Sequence, residues 1–228
     1  VSDSDSFIEE VTEEVRRDRL FGYIRKYAWV AVSVVVLIVG GAAYNEYSKA
    51  QQRARAQATG DAIYSAVEQN ENAARIASLA ALDPEAKEAT LVIDFLLASH
   101  QVVEGQHADA AVTLDRVANA SDQDIPEIYR QIALFKSVAA RGSEMAMADR
   151  RSTLEAMAAP GAPLALLAQE QLALADIEES KTDEAIARLS VIIVDSGVTP
   201  GLLRRATQLI VALGGELPAI QAGQAGSE

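Results

Sequence analysis

The 38 residues from Pro163 to Pro200, PLALLAQEQLALADIEESKTDEAIARLSVIIVDSGVTP, read as one unit of a repeat. Apolar residues recur at helical rather than strand spacing, and a break near Ser180 divides them into two segments. Proline bounds the unit at both ends. A third proline, Pro126, lies 37 residues before Pro163, the same interval that separates Pro163 from Pro200. That interval also relates Ala111, Ala148 and Ala185, then Val117, Leu154 and Val191, then Leu91, Ile128 and Ala165. The chain has only six prolines, so three at one interval are the informative part. Self-similarity at this period predicts an array of helical hairpins.

The residue types suit that geometry. A small residue early in the second helix lets two helices approach closely, which assigns hairpin crossings to Ala111, Ala148 and Ala185. A proline opening each hairpin presets the first turn of its helix, the role expected of Pro126, Pro163 and Pro200. Asp83-Pro84 and Thr199-Pro200 both read as an N-cap followed by proline at the first helical position. Helices are expected near 48–69, 73–82, 85–104, 107–119, 126–141, 144–158, 163–179, 182–195 and 200–213. Hairpins of this kind cannot bury a face alone and must stack as a solenoid. The pattern is a degenerate form of the tetratricopeptide repeat, with a period of 37 instead of 34. Ser99, Lys136 and Ala173 stand where that repeat places a small residue.

Upstream of the repeat, KYAWVAVSVVVLIVGGAAYNEY (residues 26–47) has no charge between Lys26 and Glu46. Its 19 uncharged residues, Tyr27–Asn45, make a helix of roughly 28 Å, enough for a ~30 Å hydrocarbon core. Tyr23, Tyr27 and Trp29 stand at one end, Tyr44 and Tyr47 at the other, as interfacial girdles do. A cleaved signal peptide fits poorly, because seven acidic residues precede the apolar run. Arg16, Arg17, Arg19, Arg25 and Lys26 before the span outnumber Lys49, Arg53 and Arg55 after it, which puts the N-terminus inside. Gly40, Gly41, Ala42 and Ala43 form a small-residue patch where a neighbouring helix could approach.

The expected fold class is therefore all-α, with a single transmembrane helix followed by a tetratricopeptide-like helical-hairpin solenoid. The expected organisation is an amphipathic cytoplasmic tail over 1–26, a span over 27–47, a periplasmic repeat domain over 48–214 and a disordered tail over 215–228. In the first tail, Ser6 and Glu9 match a capping box, and Phe7, Val11 and Val15 make a narrow apolar stripe. That stripe suits either a solvated helix or a docking helix for a cytoplasmic partner.

Chemistry-bearing motifs are missing. The net charge of −13, from 33 acids against 20 bases, argues against a nucleic-acid partner. With no cysteine there is no thiolate metal site, disulfide or cysteine nucleophile. His100 and His107 lack the spacing of a metal site, and no nucleophile elbow, phosphate loop or dinucleotide fingerprint occurs. No enzyme activity, cofactor, metal or small-molecule substrate is expected.

The segment FIEEVTEEVRRDRLFGYIRKYAW (residues 7–29), one apolar span, and the stretch AAPGAPLALL…TPGLLRRATQLI (residues 158–210) together resemble a known family. It comprises the alphaproteobacterial tetratricopeptide-like proteins related to the YfgM-type ancillary subunit of the SecYEG translocon. The likeness runs from about Phe7 to Leu213 and rests on no catalytic signature. It implies a single-span inner-membrane protein with a short cytoplasmic N-terminus and a periplasmic solenoid. It also implies association with SecYEG and with a membrane-anchored periplasmic chaperone of the peptidyl-prolyl isomerase type, in aid of exported chains. The alternative expectation is a structural accessory subunit of another inner-membrane assembly, respiratory or cell-division.

Overall fold

Alanine and leucine dominate the segments between breakers, and both favour the helix strongly. The structure, a computed structural model, describes the backbone of residues 3–121 and 125–217. Side chains are described for 25–27, 29, 30, 32–121 and 125–217. Every regular element among these residues is helical: α1 (Asp3–Val67), α2 (Asn72–Ala80), α3 (Lys87–Val103), α4 (His107–Ala118), α5 (Glu127–Arg141), α6 (Met147–Met157), α7 (Ala165–Glu178), α8 (Thr182–Val194) and α9 (Pro200–Ala212). A short 3-10 turn, Gly142–Glu144, joins α5 to α6.

The chain divides into two compact units, Val1–Asp61 and Ala62–Glu228. The first belongs to α1. Its apolar stretch is exposed on every side, from Trp29 (69%) through Leu37 (74%) to Tyr44 (76%). Among the described residues no helix is long and apolar enough to cross a membrane. The side chains of Ala28 and Ala31 lie outside the described residues, which leaves Val32–Asn45, 14 residues, as the longest described uncharged run of α1. The helix expected over 48–69 is the end of α1 and has no start of its own. Because α1 already runs through Ser6, that residue does not cap it. Side chains before Arg25, including the stripe of Phe7, Val11 and Val15, lie outside the described residues.

The second unit is a stack of helices, each lying against its chain neighbour from α2 to α9. Its core is a series of overlapping clusters. The last turn of α1 meets α2 and α3 through Ala66, Leu79 and Leu97. Then α3, α4 and α5 meet through Ala98, Leu114, Val117 and Ala133. Helices α5, α6 and α7 share Val138, Leu154, Met157 and Leu172. Helices α7, α8 and α9 share Ala173, Leu189, Ile192 and Ile210. Each cluster joins one hairpin to the first helix of the next, as a repeat stack requires.

The interval between equivalent positions is not constant. Ala98, Val138 and Ala173 sit on the first helix of each hairpin and are all buried. Twelve residues on, Ala110, Arg150 and Ala185 hold the matching places on the second helix, again all buried. Leu114, Leu154 and Leu189 follow at 1%, 1% and 0% exposure, then Val117, Met157 and Ile192. These sets are separated by 40 and then 35 residues, and 37 lies near their mean. The fixed period therefore picks out some residues that are not equivalent. Ala111 and Ala185 are buried as expected, but Ala148 is exposed, two residues short of the crossing held by Arg150. Val191 is 60% exposed and Ile128 is 38% exposed. Ser99 and Lys136 flank the crossing, which Ala98 and Val138 occupy instead.

The prolines are not equivalent either. Pro200 takes the first position of α9, with Thr199 as its N-cap and the Thr199 hydroxyl oxygen accepting from Leu202 N at 3.4 Å. Pro126 sits one place earlier, at the N-cap of α5, and Pro163 precedes α7 altogether. Asp83-Pro84 does not start a helix: α3 begins at Lys87. Three helices end in the same hydrogen-bonded left-handed turn, at Gly105, Ser180 and Gly214. After α9, Gly215 is held against Ile186 and Ile210, leaving no room for a side chain. The rest of the expected C-terminal tail, 218–228, lies outside the described residues.

The register makes a paired prediction. Ala185→Phe should overpack the α7–α8 crossing and cost about 1–3 kcal/mol. Ala148→Phe, at an exposed site, should stay within about 0.5 kcal/mol of the parent. Chemical denaturation of both variants checks this; equal losses would contradict the 40/35 register.

Candidate functional site

Four neighbouring residues of α7, Leu167, Glu170, Gln171 and Leu174, fall at i, i+3, i+4 and i+7 and so share one helix face. Arg205, Gln208, Leu209 and Ala212 do the same on α9, each 38 residues later. Together with Phe135 of α5 they line an open cleft of about 700 Å³. The walls are apolar: Phe135, Leu167, Leu174 and Leu209. Polar groups cross the floor. Arg205 forks onto Glu170, with Nε to Oε1 and Nη2 to Oε2 both at 2.7 Å. Glu170 is nearly buried beneath it, at 7% side-chain exposure, so the pair neutralises itself. The hydrogen bonds that Arg205 donates to the Glu170 carboxylate raise the Arg205 pKa above its ordinary value, against a smaller opposing effect of burial. The Gln171 and Gln208 amides make no hydrogen bond among the described residues, so each offers both a donor and an acceptor to the cleft.

Such a lining holds one acid, Glu170, and Arg205 engages it. It can receive a chain that carries apolar side chains and a hydrogen-bonding backbone. A second, smaller cleft of about 290 Å³ lies among α3, α4 and α5, with Ser99, Val102, Val103, His107 and Lys136 on its rim.

The cleft is held in shape by ion pairs between helices. Asp176 of α7 is 2% exposed and receives Arg151 of α6 at 2.8 Å and Arg188 of α8 at 2.7 Å. Arg188 also donates to Gln169 Oε1 at 3.1 Å, and Arg151 to Glu179. Burial pushes the Asp176 carboxyl up, but hydrogen bonds and charge from Arg151 and Arg188 together outweigh it and hold the pKa below the usual range. Asp115 of α4 repeats the arrangement with Arg141 and Ser137 of α5. Its pKa also ends low: burial raises it, and the two hydrogen bonds prevail. Asp94 of α3 takes Arg116 of α4 at 2.6 Å.

The other residues singled out by sequence lie elsewhere. Gly40 and Gly41 are exposed, with nothing within 4 Å of where a side chain would begin, and Ala42 and Ala43 are exposed beside them. Ala111 and Ala185 belong to hairpin seams, whereas Ala148, Pro126, Pro163 and Pro200 lie at the surface or at helix starts. None of them lines the cleft. His100 is engaged by α2: its Nδ1 lies 2.7 Å from Asn72 Oδ1, and Asn72 Nδ2 donates to the His100 carbonyl at 2.9 Å. Among the described residues no group of three or more His, Asp or Glu is placed to hold a metal. Reading the sequence missed the cleft, although its i, i+3, i+4, i+7 set recurring on α7 and α9 was a usable signal. No family model, no curated protein and no solved structure matches this chain.

The Asp176 cluster carries a pH prediction. A carboxylate with a lowered folded pKa contributes stability above its unfolded value, about 3.9. That contribution is lost as pH falls from there through the lowered folded value. Asp176→Asn should cost ~3 kcal/mol at pH 7, because two arginines lose a buried partner. It should also flatten the fall in stability below about pH 4. Urea melts from pH 7 to pH 3 test this; parallel curves for parent and variant would contradict it.

Proposed function

We propose that this chain is a membrane-anchored, non-enzymatic interaction module whose repeat domain holds segments of other polypeptides. The observation that carries the reading is the exposure of Val34–Val39, from 48% at Val34 to 74% at Leu37. Six consecutive residues cover every face of an α-helix. A single packed neighbour cannot cover them all, whereas lipid does. Left in water, their exposure would cost on the order of 10 kcal/mol. Tyr27 and Trp29 at one end, and Tyr44 and Tyr47 at the other, are exposed and suit the headgroup levels. The basic residues before the run support an N-terminus in the cytoplasm and a repeat domain in the periplasm of a bacterial inner membrane.

The cleft supports the second half of the reading. Two free amides between leucine and phenylalanine walls fit an extended, uncharged segment better than a charged small molecule. No cofactor, metal, nucleotide or nucleic acid enters this function. The resemblance to translocon ancillary subunits supplies the partners proposed: SecYEG, a membrane-anchored periplasmic chaperone and exported chains in transit. Tethering beside the channel would offset weak binding by raising local concentration. The open space around Gly40 and Gly41 favours one further contact, with a helix of the channel or of another membrane assembly to which the chain would be a fixed subunit.

In spheroplasts, external protease should digest the region beyond Tyr47 and leave the region before Tyr27 protected. Protection of the repeat region would overturn the topology. Leu174→Glu should weaken binding of an unfolded, apolar polypeptide about tenfold, some 1.4 kcal/mol, with melting unchanged. Unchanged binding would remove the cleft from the function.

A further inference from the structure

Helices α5 and α6 form one hairpin, yet they have the thinnest packing of any consecutive pair from α2 to α9. The cause lies at the crossing. The hairpin α3–α4 crosses at Ala98 and Ala110, and α7–α8 crosses at Ala173 and Ala185. In α5–α6 the same two positions are Val138 and Arg150. Arg150 is 8% exposed, and its side chain is far larger than the alanine at the matching place in the other two hairpins. It fits poorly there: its Nε is buried with no partner among the described residues. Its Nη2 pairs instead with Glu178 of α7 and touches Met147 Sδ at 3.2 Å.

Among the described residues the ion pairs named here fall on either side of this seam. Asp94–Arg116 and Asp115–Arg141 tie α3, α4 and α5 together. Arg150–Glu178, Arg151–Asp176–Arg188 and Glu170–Arg205 tie α6, α7, α8 and α9 together. Among the described residues the two sets share one apolar cluster, with Leu134, Phe135 and Val138 from α5 and Leu154 and Leu172 from α6 and α7, and the turn between α5 and α6. That turn leaves α5 through Gly142 at φ 48°, ψ −124°, a conformation open to glycine and strained for other residues.

We infer that the α5–α6 seam is a hinge between two blocks, α2–α5 and α6–α9, kept loose by Arg150 at the crossing. The hinge has a direct consequence for the cleft. Phe135 belongs to the first block, and every other lining residue belongs to the second. Motion at the seam therefore changes the width of the cleft. The inference stands on the packing alone, whether or not the cleft binds polypeptide.

The chain has no cysteine, so engineered cysteines take spin labels without background. Val112→Cys with Val194→Cys places exposed labels on the two blocks, and Val194→Cys with Val211→Cys places both on the second. In the full chain in detergent, pulsed dipolar spectroscopy should give a broad distribution for the first pair and a narrow one for the second. Arg150→Ala should narrow the first to the width of the second, because the small residue lets α5 and α6 close. Glu178→Gln, at a half-exposed site whose partner Arg150 lies in the same block, should leave it as broad as in the parent; the comparison of the two parent pairs decides the matter should Arg150→Ala fail to fold by circular dichroism. Equal widths for both pairs in the parent, or broadening in Arg150→Ala, would each overturn the hinge.

Discussion

Two helices of a hairpin share a tight seam only if their backbones can approach, and one pair of positions decides how closely. Alanine at Ala98 and Ala110, and again at Ala173 and Ala185, lets the first and third hairpins close. The leucines that follow, Leu114 and Leu189, can then insert into fully buried sites, each contributing roughly 2 kcal/mol over exposure to water. Everything else in the repeat domain depends on this approach. The first helices line up beside one another, and their outward faces become the walls of the cleft. Where the approach fails, at Val138 and Arg150, the stack has its weak seam.

Polar contacts do different work from the alanines. A buried ion pair adds little net stability, because desolvation offsets attraction. What Asp176 supplies, taking Arg151 from one side and Arg188 from the other, is a fixed relation between three successive helices. Asp115 does this for α4 and α5. Among the described residues the pins named here concentrate on either side of the α5–α6 seam, and an apolar cluster spans it. A domain built this way can keep two rigid walls and still vary the space between them.

Much of this was legible in the residues and some was not. Helix positions followed from apolar spacing and breakers, and Thr199-Pro200 marked the start of α9 because capping is a local interaction. The crossing residues were harder. A fixed interval of 37 matched prolines that stand at different places relative to their helices, and it averaged over true intervals of 40 and 35. Ala185 fell into register; Ala148 did not, since turn lengths vary between hairpins while the packing positions stay aligned. Arg150 could not be read as a crossing residue, because an arginine at that place breaks the size rule that identifies it. The absence of a break between the apolar run and the repeat was likewise hidden, since alanine and glutamine between residues 50 and 58 sustain a helix without announcing one. The cleft needed α5, α7 and α9 side by side, which is a matter of stacking and not of local sequence.

The central claim is that the cleft of a membrane-tethered repeat domain receives exported polypeptide. A photo-crosslinking residue at Gln208, on the cleft floor, tests it in intact cells expressing an exported reporter of defined sequence stalled in the channel. The account predicts a crosslink to the reporter that depends on stalling and disappears in Leu174→Glu. A crosslink to one fixed membrane complex, unchanged with or without the stalled reporter, would contradict it and make the chain a structural subunit of that complex.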